Sequence, residues 1–240
     1  MPIELWQLLL MNSYLRKEQA PAYLKRLGTL VVRDVTVKGD RGIGFDTNFI
    51  DIFPEILSAY GFMMLARDEV RKWQAQVPDS EIFARYHFYS FVFNTKSYLD
   101  KVALFLNAQY DLRFVGGSID LKRRDFLEGL ERKRPAVSRD LRRLAGWYVR
   151  VSEWRDHMIH REGIIATSHI LTGKKYYKKA SRHIWLPKRP ESITGKSRRG
   201  HRMPAFCEAW LRNAEYVLRV VSEDAIRLVP KRWPVHRGSK

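Results

Sequence analysis

Cysteine is nearly absent from this chain: Cys207 is the single thiol among 240 residues. One thiol excludes an intrachain disulfide and a zinc site built on several cysteines, and it suits a reducing compartment. Long apolar runs are missing too, since no stretch approaches the roughly 18 apolar residues that a bilayer-spanning helix needs. The opening MPIELWQLLLMNSYLRKEQ has a short apolar run, but no basic region precedes it and no small-residue cleavage site follows. It does not read as a signal peptide. The expectation is a soluble, cytoplasmic protein with no membrane partner. No internal repeat is evident.

Acidic residues are the most unevenly missing. Lys and Arg number 44 against 26 Asp and Glu, a formal charge of +18. Between Gly163 and Arg202 there are eleven Lys or Arg and one acid, Glu191, so forty residues hold +10 of that charge. Such a balance favours polyanions, meaning nucleic acid or an anionic membrane surface. The second is the weaker reading, because the tract shows no amphipathic helix. A solvated basic loop is the bland alternative. Hydrophobic residues make up 45% of the chain and Trp occurs seven times, which argues for a folded core rather than disorder.

Helical spacing dominates the organisation. Residues 3–26 suit one or two helices broken near Pro21, and the β-branched run Leu30–Val37 suits a short strand. A helical body is expected to start near Pro54, with Asp51 as a possible cap and Pro78 beyond its end. The segment from Glu81 to about Tyr110 is apolar on most of its circumference, which predicts a central helix. Its polar residues Ser90, Asn94, Ser97 and Lys101 share one stripe at spacings of four, three and four. Asn94 and Asp100 read either as core hydrogen-bonders or as functional groups. The basic stretch LKRRDFLEGLERKRP stops at Pro135, and Ser138 is placed to cap a long helix running to Gly163. After possible strands in GIIATSHIL and RHIWL, a last helix is expected from Met203 to Leu228. This divides the chain into three: residues 1–50, a helix or extended arm; residues 51–230, a helical domain that includes the basic insertion 163–202; and a basic tail, 231–240.

On the expected helix 138–163, Leu141, Leu144, Tyr148, Val151 and Met158 form an apolar stripe whose missing member is Arg155. A guanidinium in such a stripe is costly unless it is paired or borders a cleft or an interface. Around it the chain reads WRDHMIHREG. Arg155 and His160 are five apart, about 140° around a helix, so they do not share a face but could flank a groove where the last turn ends before Gly163. Asp156 and His160 are four apart, close enough for the carboxylate to orient the imidazole. Arg150 and His157 make a second, looser pair. His157 and His160, three apart with Asp156 beside them, form a possible metal pair that needs further ligands from elsewhere.

The segment Arg155, Asp156, His157, Met158, Ile159, His160 resembles the motif of the HEPN superfamily, an Arg, a polar residue, three more residues, then His, near the end of a long helix. The resemblance covers roughly residues 55–163 and extends to 203–228. It implies a mostly α, antiparallel helical bundle, here with a basic loop or short-strand insertion before the last helix. It also implies metal-independent RNA cleavage with no cofactor, in a homodimer whose two Arg–His pairs face one cleft. Arg155 and His160 would be catalytic and Asp156 the polar helper, with His157, Asn94 and Asp100 as possible supporting residues. Family analogy adds a defence or toxin–antitoxin role and a nucleotidyltransferase-like antitoxin as partner. RNA would be gripped by Lys174, Lys175, Lys178, Lys179, Arg182, Lys188, Arg189, Arg198 and Arg199. The same tract, with Tyr176, Tyr177 and Trp185 among its lysines, equally suits an RNA-binding module without chemistry.

Overall fold

The computed structural model describes residues 47–74, 81–160, 185–186 and 201–228, together with Ala22. Four long helices organise the described residues: α1 (Thr47–Gln74), α2 (Glu81–Gln109), α5 (Ala145–His160) and α6 (Met203–Leu228). Two short helices, α3 (Arg124–Lys133) and α4 (Pro135–Arg142), lie between α2 and α5. A two-residue antiparallel pair, β1 (Trp185–Leu186) and β2 (His201–Arg202), leads directly into α6. The expected helical class holds, and the last helix has the bounds that periodicity predicts. Among the described residues no helix is long and apolar enough to cross a membrane.

α2 is the central helix. Phe53 and Phe105 meet edge to face at 5.7 Å, and Tyr60 lies 6.1 Å from Tyr98, so α1 runs antiparallel to α2. Phe88 meets Phe206 at 5.6 Å, Phe91 meets Trp210 at 6.3 Å, and the Tyr98 hydroxyl donates to the Ala214 carbonyl at 2.8 Å, so α6 runs parallel to it. Trp154 on α5 packs against both Phe88 and Phe206. These rings are buried, and their burial and edge-to-face contacts are the main stabilising term.

Several expected boundaries move. α1 begins at Thr47 rather than near Pro54, so Pro54 lies inside it and the boundary drawn at residue 51 falls within a helix. Pro54 has no N–H to offer the Ile50 carbonyl, but Phe53, Ile56 and Leu57 around it are buried, and that packing carries the helix through. The single helix expected from Ser138 to Gly163 is two helices. α4 ends at Arg142, and Arg143 and Leu144 turn the chain before α5. The Leu141 carbonyl freed at that break accepts from the Leu144 N–H at 3.0 Å and from the Tyr148 hydroxyl at 3.1 Å. Ser138 is no cap: it is buried, and its hydroxyl donates to the Leu127 carbonyl at 2.7 Å, tying α4 to α3. Pro135 does end α3, and it also opens α4 as a first-turn residue.

The α2–α3 connection is pinned by Asn107, whose amide bonds both the N–H and the carbonyl of Phe114. Gly129 lets that ring close on α3, since a Cβ there would stand 2.6 Å from Phe114 Cε2. Apart from Ala22, the expected elements within 3–26, 30–37 and 163–171, and the tail 231–240, lie outside the described residues.

Candidate functional site

The motif occupies the last turns of α5. Trp154 anchors this segment through Phe88 and Phe206, so the backbone of the next residues is set by the core. Arg155 follows on the turn after Val151, which is fully buried. Its side chain is 39% exposed and its Nη1 donates to Asp156 Oδ1 at 2.8 Å. The arginine on the apolar stripe is therefore paired within its own chain, to the carboxylate whose spacing in the sequence suits His160. That removes the unpaired charge as a reason for dimerisation. A guanidinium carries five N–H donors, so this pair leaves others for a phosphate.

His157 is buried, and its Nδ1 has no hydrogen-bond partner among the described residues. Trp147 meets Trp210 at 6.3 Å and Trp154 meets Phe206 at 5.0 Å, so α5 runs antiparallel to α6 and hence to α2, and the Phe88–Trp154 contact sets the register that brings Arg85 level with His157 one turn nearer the start of α2. A buried imidazole without a partner for one nitrogen is costly, by about 1–3 kcal/mol. His157→Leu is therefore expected to leave stability within about 1 kcal/mol of wild type or to raise it, as read by urea denaturation. A loss above about 2 kcal/mol would show that the ring makes a contact the fold requires.

His160 is the final residue of α5, and its side chain lies outside the described residues. Asn94 and Asp100 do not stand beside Arg155. By the same register they lie about 10 and 20 Å further along α2, at about 1.5 Å per residue. Asn94 donates to the Ser90 carbonyl and hydroxyl at 2.8 and 3.2 Å, and Asp100 pairs with Lys96, which also reaches Asp120 at 3.5 Å. Both satisfy groups on or beside their own helix. Arg150 is exposed and donates to the Gly146 carbonyl at 3.2 Å. Lys174, Lys175, Lys178, Lys179, Arg182, Lys188, Arg189, Arg198 and Arg199 lie outside the described residues.

The location of this end of the bundle follows from connectivity. α5 ends at His160 and β2 re-enters at His201, immediately before α6, whose Phe206 touches Trp154. The segment between them leaves and returns at the end that carries Arg155. The described residues contain 22 Lys or Arg and 18 Asp or Glu, a net +4, so +14 of the +18 belongs to the remaining segments.

A second polar cluster was not read from the sequence. Asp224, buried on α6, accepts from the Arg134 guanidinium and from the Tyr110 hydroxyl. Burial and the adjacent carboxylate hold the Tyr110 phenol far above its usual pKa. The signal was present: Asp224 falls in phase with the apolar Val217, Val221 and Ala225, as Arg155 does with Tyr148 and Val151. Among the described residues no group of three or more His, Cys, Asp or Glu is placed to hold a metal. Comparison with protein-family models, curated proteins and solved structures finds no match to this chain.

Proposed function

We propose that the chain is a metal-independent endoribonuclease of the HEPN type, with Arg155 and His160 as its catalytic pair. The observation that carries this reading is the position of Arg155. Its half-exposed guanidinium sits on the last turns of a core-anchored helix, at the end of the bundle where the basic segment departs and returns. In the proposed reaction the ribose 2′-oxygen bonds to phosphorus and the bond from phosphorus to the 5′-oxygen breaks. His160 takes the 2′-hydroxyl proton, the leaving 5′-oxygen gains one, and a 2′,3′-cyclic phosphate remains. Arg155 neutralises the charge that builds on the phosphate oxygens, and Asp156 fixes its orientation. A defence or toxin role, with a nucleotidyltransferase-like antitoxin as partner, belongs to the same proposal. The test is cleavage of single-stranded RNA in EDTA by wild type and by His160→Ala.

The Arg155–Asp156 pair also favours a second reading, in which the chain binds RNA without cutting it, because the carboxylate offsets the charge a phosphate would seek. Both readings assign affinity to the basic tract. Neutralising Lys174, Lys175, Lys178 and Lys179 together is expected to weaken binding to most RNA sequences alike. The dependence of log K on log salt should flatten by up to about 0.7 per lost contact on single strands. An unchanged affinity and slope, measured by fluorescence anisotropy across a salt series, would make the tract a solvated segment only.

A further inference from the structure

The hairpin of α1 and α2 carries an open apolar face on its outer side. Glu55 pairs with Lys101, Glu69 lies 3.9 Å from His87, and Trp73 stacks on Phe83 at 4.7 Å. The three contacts agree on one antiparallel register, which sets Phe62 opposite Asn94 and Leu65 opposite Phe91. Phe62 and Leu65 form the face on α1; Ile82, Phe83, Tyr86 and Phe93 form it on α2. Ile82, Tyr86 and Phe93 share one exposed stripe at spacings of four and seven. The six side chains are between 39 and 72% exposed, so no described residue covers them. Taking about 200 Å² for a large side chain in full exposure, they present on the order of 700 Å². A contiguous apolar patch of that size is more than a single chain commonly leaves in water, and it marks a docking site.

The chain supplies a complement of its own. Seven of the nine residues 3–11, IELWQLLLM, are apolar. On a helix, Ile3, Trp6, Leu9 and Leu10 share one side, with Gln7 at its edge and Glu4 away from it. A helix over residues 3–15 runs about 20 Å, against about 16 Å from Phe62 to Trp73. Length also fits. Thirty-five residues, 12–46, join this segment to Thr47, the first residue of α1. A random chain of that length spans about 30–35 Å r.m.s.. Along α1, Phe62 and Trp73 stand about 22 and 39 Å from Thr47. A tether whose length matches the span holds its end at an effective concentration on the order of millimolar, well above that of any second copy in micromolar solution. We propose that residues 3–15 dock on the α1–α2 face of their own chain and cover Phe62, Leu65, Phe83 and Tyr86. The contact uses neither Arg155 nor His160, so it stands whether or not the chain cuts RNA.

Hydrogen exchange and cross-linking of the full chain test it. Amides within residues 3–15 should be protected in wild type and exchange at least about tenfold faster in Phe62→Glu with Leu65→Glu. Helical circular dichroism should stay unchanged, because both positions are exposed. In a chain carrying Gln7→Cys and Leu65→Cys, a short bis-maleimide should join the two thiols within one molecule of 28.4 kDa. With Gln7→Cys and Val115→Cys, exposed elsewhere, it should not. The native Cys207 will not interfere, since it is fully buried and burial raises its thiol pKa well above the usual value. If the double glutamate variant does not fold, the cross-link alone decides. Residues 3–15 that exchange freely in wild type overturn the proposal, as does protection that both glutamates leave intact. So does a link that forms between two chains rather than within one, or one no more efficient through Leu65→Cys than through Val115→Cys.

Discussion

His160→Ala should abolish RNA cleavage while leaving the fold and the affinity for RNA nearly intact. Removing a positioned general acid or base typically costs about 10²–10⁴ in rate, enough to take a modest ribonuclease below detection. The structural cost should be small, because His160 is the last residue of α5 and the helix is anchored a turn and a half earlier by Trp154. Alanine at a helix end keeps the backbone in place. The measurement pairs product formation from a labelled single-stranded RNA with a thermal melt and a binding curve on the same preparations. Cleavage by wild type should persist in EDTA. Undiminished cleavage by the alanine variant removes His160 from the reaction. Loss of wild-type cleavage in EDTA would revive a metal-dependent reading that uses His157 and His160.

Asp224→Ala should destabilise the fold by about 3 kcal/mol, the low end of the range for breaking a buried ion pair. Asp224 is almost wholly enclosed and serves two partners, the Tyr110 hydroxyl and the Arg134 guanidinium. Deleting it leaves both without their acceptor. Arg134 keeps 30% of its side chain in water, which softens the loss on that side. For a chain of 240 residues this corresponds to a fall in Tm of about 6–12 °C. Replacing both charges, as Arg134→Met with Asp224→Leu, should cost less than Asp224→Ala alone, because no buried charge is then stranded. If the single and double variants are equally unstable, packing holds this corner together rather than the ion pair.

The helical body was legible because its signals are local. α2 announces itself by apolar residues around most of its circumference, and α6 by an apolar stripe running from Met203 to Ala225. The break between α4 and α5 was not legible. Arg143 and Leu144 include neither proline nor glycine, and the carbonyl released there is satisfied by the hydroxyl of Tyr148, seven residues beyond Leu141. Proline misled at the other end: Pro54 reads as a first-turn residue, yet burial of Phe53, Ile56 and Leu57 carries α1 through it. For the site, helical phase correctly aligned Arg155 with Tyr148 and Val151. Phase gives direction and not coverage, and at the end of the bundle the same direction meets solvent and the Asp156 carboxylate. Asn94 and Asp100 lie on α2 but stand turns away from Arg155, a distance that only the register between α2 and α5 reveals.

The β1–β2 pair has an implication for how this protein can change. It holds the returning end of the insertion at the start of α6, so the span between His160 and Trp185 is bracketed by two fixed points at one end of the bundle. Closing a connection between fixed points costs little more when it is longer, about 0.6 kcal/mol for each doubling of length. The bundle is therefore nearly indifferent to how many residues lie there. Residues can be added, lost or exchanged in this span without renegotiating the aromatic core, so the charge it carries can diverge while the helices stay the same.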